Sequence, residues 1–214
     1  MWWELAKSEN ISMSVIRRLP RYYRFLSYLD NQETQRISSK KLADIMNVTA
    51  SQVRQDLNCF GGFGQQGYGY SVKQLKLEIG EILGLNKQFK AIIIGAGNLG
   101  TAVAKHMNFE ARGFELVGIF DKNPSLTGQI LRGIEIRPDE EIESFCDSHT
   151  IDAAILCMPR NGVELVIERL YSKGIKSYWN FSHYDIASEY KDTIVENVHM
   201  SDSLMTLCYR MNQR

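Results

Sequence analysis

Residues that would mark a secreted, disulfide-stabilised protein or a zinc protein are scarce in this sequence. Its 214 residues contain four cysteines and no C-x-x-C pair. Cysteines scattered in this way predict free thiols in a reducing compartment. The four histidines show no ligand spacing along one helix, which argues against a zinc site.

Long apolar runs and an excess of charge are missing as well. No stretch approaches the roughly 20 apolar residues of a membrane-spanning helix, and no signal-peptide pattern opens the chain, so a cytoplasmic protein is expected. The net charge is zero, but residues 1–88 hold 12 basic and 8 acidic residues, and residues 89–214 hold 13 and 17. A basic first part predicts a polyanionic partner for that part, although so small a surplus is also typical of a solvated surface.

The clearest motif follows an apolar run that is typical of a buried strand. Lys90–Ile94 leads into Gly95-Ala96-Gly97-Asn98-Leu99-Gly100, and an amphipathic segment follows from Thr101 to Met107. The glycines of a G-x-G-x-x-G turn permit a tight turn, the approach of a pyrophosphate and close packing of helix on strand. A second apolar run ends at Asp121, which is 21 positions after Gly100. This spacing predicts a carboxylate that holds the ribose of a dinucleotide, against the alternative of a β-turn-α unit without a ligand.

Two short helices in the first part are predicted to form a helix-turn-helix. The first runs from Ser38 to Met46, and a capping box is predicted at the start of the second, in which Thr49 caps and Gln52 reaches back. The residues of the second helix expected to face outward are Ser51, Gln52, Arg54, Gln55 and Asn58. Helical hairpins that bind nothing are common, so this pattern alone leaves DNA binding open.

The segments around this hairpin support a winged helix. A helix is expected within residues 11–31, with Pro20 suited to its first turn. Phe60–Tyr70 alternates glycine with aromatic residues, which predicts a hairpin whose tip approaches a phosphate backbone or a minor groove. A helix from Val72 to Leu83 closes the domain, and residues 84–87 are the predicted linker.

Strand and helix patterns alternate after Asp121. A strand pair is expected within residues 128–136, helices over 140–148 and 163–173, and strands over 151–158, 175–181 and 194–198. The alternation predicts a doubly wound sheet with its ligand at the carboxyl ends of the strands. Ser201 is predicted to cap a final helix. Its apolar stripe of Leu204, Leu207, Cys208 and Met211 needs another surface, on either the first domain or a second subunit.

These motifs, taken in order, resemble the Rex family of redox-sensing transcriptional repressors from about residue 11 to residue 211. The matching stretches are Ile16–Arg24, Ile37–Ala43, Gln52–Leu57, Phe60–Tyr70, Gly95–Gly100, Gly174–Lys176 and Asn180–Phe181. The resemblance implies an α/β homodimer. Each chain would have an N-terminal winged-helix DNA-binding domain at 1–84, a Rossmann doubly wound NAD(H)-binding domain at 88–199, and a C-terminal domain-swapped helix at 200–214.

The resemblance also implies a mechanism: NADH binding closes the homodimer and releases operator DNA, and NAD⁺ competes for the same site. The implied DNA contacts, at an inverted-repeat operator, are Arg17, Arg18, Lys40, Lys41, Ser51, Gln52, Arg54, Gln55, Asn58, Gln65 and Gln66. The implied cofactor contacts are Gly95, Ala96, Gly97, Asn98, Leu99, Gly100, Asp121, Lys122, Met158, Pro159, Asn180 and Phe181. No catalytic residue and no metal ligand are expected.

Some positions depart from the pattern of the family. Gln55 and Gln66 stand where a lysine and an arginine are frequent, which predicts weaker or altered contact with DNA phosphates and the minor groove. Tyrosine is usual at the position of His106, near the nicotinamide, and some members have aspartate at the position of His199. The implied switch residues are Arg24, His106, His199 and, as a replacement carboxylate, Asp202.

Two other functions are considered for a dinucleotide fold. An NAD-dependent oxidoreductase needs a general acid or base beside the nicotinamide, and the best candidate, His183, is a lone loop histidine. No Tyr-x-x-x-Lys pair and no substrate domain support that alternative. The other is an interaction protein in which the nucleotide is only structural.

Overall fold

A computed structural model describes residues 11–65 and 68–213, with the backbone alone at Gly64 and Gln65. The chain divides into two compact units between Asn86 and Lys87, within the predicted linker. No helix of the described residues is long and apolar enough to cross a membrane.

The first unit combines five helices and a small antiparallel sheet in its described part. Its elements are α1 (Met13–Ile16), α2 (Leu19–Asn31), β1 (Arg36–Ile37), α3 (Ser39–Met46), α4 (Ala50–Asn58), β2 (Gly64–Gln65), β3 (Gly69–Ser71) and α5 (Val72–Ile82). The strand order is β1-β3-β2. Helices followed by a hairpin that pairs with an earlier strand confirm the winged-helix arrangement.

The core of this unit follows from helical periodicity. The apolar face of α2 buries Leu19, Tyr22, Leu26 and Leu29, and Pro20 lies in its first turn, where the missing N–H costs no hydrogen bond. Leu42 and Met46 of α3 and Val53 and Leu57 of α4 belong to the same core. The two helices of the helix-turn-helix are therefore held by their apolar sides, which leaves their polar sides outward.

The second unit is a parallel sheet covered by helices. Its elements are β4 (Phe89–Ile94), α6 (Asn98–His106), β5 (Phe114–Asp121), β6 (Ile130–Leu131), β7 (Ile134–Pro138), α7 (Ile142–Ser148), β8 (Ala153–Leu156), α8 (Val163–Ser172), β9 (Ser177–Asn180), α9 (Ile186–Glu189), β10 (Ile194–Asn197) and α10 (Met200–Asn212). The strand order is β10-β9-β8-β4-β5-β7-β6, and only the β6–β7 pair among these is antiparallel. The doubly wound prediction is confirmed.

The strand order places a topological switch point beside the glycine turn. From β4 the chain builds outward through β5 and β7, and it then returns to the other side of β4 to build β8, β9 and β10. Ligands of doubly wound sheets bind in the crevice that such a reversal opens at the carboxyl ends of the strands. The turn that follows β4 therefore lies at the expected binding position.

Two local predictions are wrong in detail. The last helix begins at Met200 with His199 as its N-cap residue, so Ser201 lies inside the first turn and is not the cap. Helix α6 begins at Asn98, three residues before the predicted start, because the second half of the glycine motif is already helical. The short helix α9 was not predicted, since four residues are too few to show a helical period.

Candidate nucleotide site and nucleic-acid interface

Steric contacts explain the outer glycines of the turn. Gly95 has φ +97°, and a Cβ added there would lie 2.5 Å from the carbonyl oxygen of Cys157. A Cβ on Gly100 would lie 1.8 Å from the carbonyl oxygen of Gly95, so neither position tolerates a side chain. A Cβ on Gly97 would meet no atom within 4 Å. The middle glycine therefore borders open space, as a turn that admits a pyrophosphate requires.

The N-terminus of α6 faces this open space. Gly97 is the N-cap residue, and no side chain caps the first turn. The first N–H groups of an α-helix have no partner inside the helix, and the helix dipole favours negative charge there. The hydroxyl of Thr101 donates to the carbonyl oxygen of Ala96 at 2.9 Å and holds the turn against the helix. Phosphate oxygens fit this arrangement of donors.

Asp121 lies at the end of β5, beside the glycine turn. One carboxylate oxygen accepts the N–H of Ala96 at 2.6 Å, and the other accepts the N–H of Asn123 at 2.8 Å. A carboxylate has about four lone-pair sites, so these two bonds leave acceptors for ribose hydroxyls. The position fits the role predicted from the spacing of Asp121 to the glycines.

Backbone hydrogen bonds bring the other strand ends to the same edge. Cys157 donates to Ile94 at 2.8 Å, and Phe181 donates to Leu156 at 3.0 Å. Met158 and Phe181 are half-buried at this edge, and Pro159 is exposed there. The segments that carry these predicted contacts therefore end in register with the glycine turn.

The side chain of Asn180 is engaged by internal partners, while the predicted cofactor contact of this residue stays a prediction. The residue is fully buried at the end of β9. Its amide nitrogen donates to the carbonyl oxygen of Tyr184 and to the side chain of Asn197, and its amide oxygen accepts from the N–H and hydroxyl of Ser182. All these partners are internal, so the side chain of Asn180 organises the loop of residues 180–184 beside the site.

Sequence reasoning missed Asp139, which directly follows β7. Strand β7 is the neighbour of β5, so Asp139 comes close to the carboxylate of Asp121. Burial raises the pKa of Asp139, and Glu140 and Asp121 raise it further. Lys122, the predicted cation of this region, is exposed. An acidic residue directly after a strand that neighbours β5 is the sequence signal by which Asp139 could have been predicted.

The outward face of α4 confirms most of the predicted helix surface. Ser51, Arg54, Gln55 and Asn58 are exposed, at intervals that place them on one side of the helix. The guanidinium of Arg54 donates to the hydroxyl of Ser39 at 3.2 Å. The hydroxyl of Thr49 accepts the N–H of Gln52 at 3.1 Å, so the predicted cap is present.

The side chain of Gln52 does not complete the capping box. It donates to a carboxylate oxygen of Asp56 at 2.7 Å instead. Asp56 is fully buried, and Arg18 donates to both of its oxygens at 2.6 Å, while the hydroxyl of Tyr22 donates at 3.0 Å. We call these four residues the Asp56 network. A buried carboxylate is costly unless it is hydrogen-bonded, and this is the physical reason that Gln52 donates to Asp56.

The Asp56 network also alters the interpretation of Arg18. Burial works to raise the pKa of Asp56, but hydrogen bonds from Arg18, Gln52 and Tyr22 outweigh it and lower that pKa. Burial, and then Asp56, raise the pKa of Tyr22. Arg18 thus has an internal structural partner, and its predicted contact with DNA phosphates stays a prediction. A pair 38 positions apart produces no periodic or spacing signal in the sequence.

The remaining predicted DNA contacts have simpler positions. Arg17 is exposed at the end of α1, and Lys40 and Lys41 are exposed in the first turn of α3. The side chain of Gln65 and the whole of Gln66 lie outside the described residues.

The switch residues are placed on three elements. Arg24 is exposed on α2, with its guanidinium 5.6 Å from the ring centre of Phe25. His106 is exposed as the last residue of α6, and Asp202 is exposed in the first turn of α10. His199 pairs with His183, a contact that sequence reasoning missed. Among the described residues, no group of three or more potential ligands could hold a metal ion.

Comparison with known proteins gives a consistent assignment. Two family descriptions match the chain, "Putative DNA-binding protein N-terminus" over residues 10–58 and "CoA binding domain" over residues 86–184. The redox-sensing transcriptional repressor Rex of Caldanaerobacter subterraneus subsp. tengcongensis is 52% identical over 209 residues, which cover 98% of this chain and 93% of the relative.

Solved structures agree over the same length. A crystal structure of RSP in complex with β-NAD⁺ and operator DNA matches with a TM-score of 0.88 and 51% identity, covering 96% of this chain and 94% of that one. A crystal structure of RSP in complex with β-NADH matches with a TM-score of 0.87 and 48% identity, covering 96% of each chain. With half of its residues identical to a Rex repressor over nearly its whole length, this chain belongs to the Rex family of redox-sensing transcriptional repressors.

Proposed function

We propose that this repressor binds duplex DNA through α4 and the wing as a homodimer, and that NADH bound at the glycine turn closes the dimer and releases the DNA. The observation that carries the proposal is the presence, in one chain, of an exposed polar face on α4 and a glycine turn open only at Gly97. NAD⁺ competes for the same site in this proposal. The cytoplasm, where DNA and the NAD(H) pool meet, is the proposed location.

Each residue that lines the nucleotide site has a proposed role in binding NAD(H). The free N–H groups at the start of α6 bind the pyrophosphate, and Asp121 accepts hydrogen bonds from the adenosine ribose. Phe181 and Met158, at the ends of β9 and β8, border the nicotinamide side of the crevice. Related structures of RSP were solved with β-NAD⁺ and with β-NADH, which supports NAD(H) as the cofactor.

In the proposed DNA interface, base edges and phosphates are contacted by different residues. Arg54, exposed in the middle of α4, is the proposed reader of base edges, since arginine donates two hydrogen bonds to guanine. Arg17 and the lysines Lys40 and Lys41 contact phosphates in this proposal. Twofold symmetry of the dimer requires an inverted-repeat operator.

The dimer is proposed to form through α10. All thirteen residues of this helix are exposed, and its large apolar side chains include Leu204, Leu207 and Met211 at 51–67% exposure. A contiguous apolar face of this kind marks an interaction surface. Exchange of α10 between two copies covers it and gives the symmetric interface that a homodimer needs.

A binding titration tests the proposed function. A duplex selected by the protein from a randomised pool is labelled with fluorescein, and its anisotropy is followed as protein, NADH and NAD⁺ are added. We expect tight salt-dependent binding, release by NADH, and protection from release by excess NAD⁺. Turnover of NADH without DNA binding would instead support the oxidoreductase alternative.

A further inference from the structure

The wing has no positive charge of its own. Between Phe60 and Tyr70 the sequence contains no lysine and no arginine. A cation at or beside the tip strengthens the approach of a wing to a phosphate backbone, because neutralised phosphates supply much of the affinity of DNA-binding proteins. Strand pairing shows where such a cation comes from.

Strand β1 delivers a cation to the wing. β1 pairs antiparallel with β3, so that Arg36 faces Ser71 and Ile37 faces Tyr70. Ile37 is buried, and the alternation of a strand therefore turns Arg36 outward. The two strands approach closely at Gly69, where φ is +69° and a Cβ would lie 2.6 Å from the carbonyl oxygen of Ile37. The base of the wing is thus fixed to β1.

The side chain of Arg36 lies against the wing residue Tyr68. Its guanidinium donates to the carbonyl oxygen of Tyr68 at 3.3 Å, and its central carbon lies 5.9 Å from the ring centre. Tyr68 is 70% exposed, so the ring is an open platform and not part of the core. Among the described residues, no carboxylate pairs with Arg36. A guanidinium has five N–H donors, so one bond to a carbonyl leaves donors for an anion.

We propose that Arg36, held on the ring of Tyr68, is the cation of the wing and contacts the phosphate backbone of bound DNA. It does so in place of a cation within the wing itself, where the sequence has none. The proposal rests on the proposed function, since it requires that the first unit binds duplex DNA. Arginine suits the position because its planar group stacks on an aromatic ring while its edge donates to phosphate.

The test compares variants by anisotropy with the duplex selected by the native chain, over a series of salt concentrations. Arg36→Ala and Arg36→Gln should weaken binding about five- to tenfold at low salt, and the slope of log affinity against log salt should become shallower by about 0.9. Arg36→Lys should keep the native slope. Tyr68→Leu should weaken binding less and also keep the slope. Arg112→Ala, which removes an exposed arginine of the second unit, is the matched control and should behave like the native chain.

The outcomes separate this proposal from the one on which it rests. Arg36→Gln keeps a donor for the carbonyl of Tyr68 but removes the charge. Native affinity and a native salt slope in that variant would mean that Arg36 only holds the wing by a hydrogen bond, and would overturn the proposal. A scrambled duplex should show the same change of slope, since a phosphate contact does not depend on sequence. If the native chain itself selects no duplex, the proposed function fails before any variant is compared.

Discussion

Nδ1 of His183 lies 2.7 Å from Nδ1 of His199, and the two rings stack with their centres 4.8 Å apart. The contact requires one ring to donate an N–H and the other to accept it. His183 belongs to the loop after β9, at the edge of the proposed nucleotide site, and His199 is the N-cap residue of α10. The loop also holds the end of β10 through the bond between Asn180 and Asn197. The start of α10 is therefore tied to the rim of the cofactor crevice.

Removing the charge of Asp56 should destabilise the first unit. Asp56→Asn leaves Arg18 without its charged partner, and we expect a loss of about 2–3 kcal/mol, below the usual range for buried pairs because the side chain of Arg18 is 30% exposed. Calorimetric or circular-dichroism melts measure the loss. Arg17→Ala is the control: it should leave the melt unchanged and weaken DNA binding. A lower melting temperature with unchanged DNA binding in Arg17→Ala would instead give Arg17 the structural role assigned to Arg18.

The same network predicts an acid-dependent stability. Because the folded state lowers the pKa of Asp56, its contribution is fully present above the unfolded value of about 3.9 and is lost as the pH falls through the lower folded value. Melting temperature should therefore decline below about pH 4 in the native chain. Asp56→Asn should show a weaker decline over that range, and an identical decline would remove Asp56 from the acid response.

Asp121 should make the site selective for NAD(H) over NADP(H). Its carboxylate repels a 2′-phosphate, and Asp139 adds negative charge nearby, while Lys122 offsets part of it. We expect at least a tenfold preference for NADH, or about 1.4 kcal/mol, by calorimetry. Lys122→Ala should widen the preference and Asp139→Asn should narrow it. Equal dissociation constants for NADH and NADPH in the native chain would refute the assignment.

Thiol alkylation should report whether α10 is covered in solution. Burial raises the pKa of Cys157 to about 12, so this thiol should react very slowly near neutral pH. Cys59 is exposed and serves as the fast reference. Cys208 is exposed on the isolated chain, and it should become slow if α10 is docked on a second copy. Leu207→Asp should restore fast labelling of Cys208, and fast labelling in the native dimer would contradict docking of that face.

Truncation tests the same helix by a different measurement. A chain that ends after Val198 lacks α10, and we expect an unstable or monomeric product because an obligate dimer often has no stable folded monomer. Light scattering gives the mass, and thermal melting gives the stability. A well-folded dimer of the truncated chain would show that α10 is not the dimer contact.

The sequence was sufficient for the features that local chemistry determines. The glycine turn, the cap at Thr49, the alternating strands and the apolar face of α2 each follow from residues within one or two turns of one another. The predicted winged helix and doubly wound sheet follow from these local patterns, because topology rules leave few ways to connect them.

The features that the sequence did not predict are contacts between distant residues. Arg18 and Asp56 are 38 positions apart, and His183 and His199 are 16 apart, so neither pair produces a periodic or spacing signal. Ser201 is a preferred capping residue, but the chain leaves β10 at Asn197 and enters the helix before reaching it. In these cases tertiary position, and not local preference, decides the role of the residue.

Release of DNA by NADH should depend on the contact between His183 and His199, which links the cofactor crevice to the start of α10. The family resemblance also makes His106 a switch residue, and His106 lies exposed at the end of α6. The contact requires one ring to donate and the other to accept, so a side chain without a hydrogen-bonding group at position 183 breaks this link. We expect this pair to dominate, with weaker coupling of NADH to DNA when the link is broken.

Reciprocity makes the test quantitative, because NADH and DNA must weaken each other's binding by the same factor. That factor is measured by anisotropy and by calorimetry for the native chain, His106→Phe, His183→Asn and His183→Phe. Asparagine keeps a hydrogen-bonding group beside His199 and should keep the native factor, whereas phenylalanine removes that group and should bring the factor closer to one. A lower factor only in His106→Phe would assign the role to His106. The native factor in all three variants would exclude both residues, since a contact that governs the position of α10 must alter the coupling when it breaks.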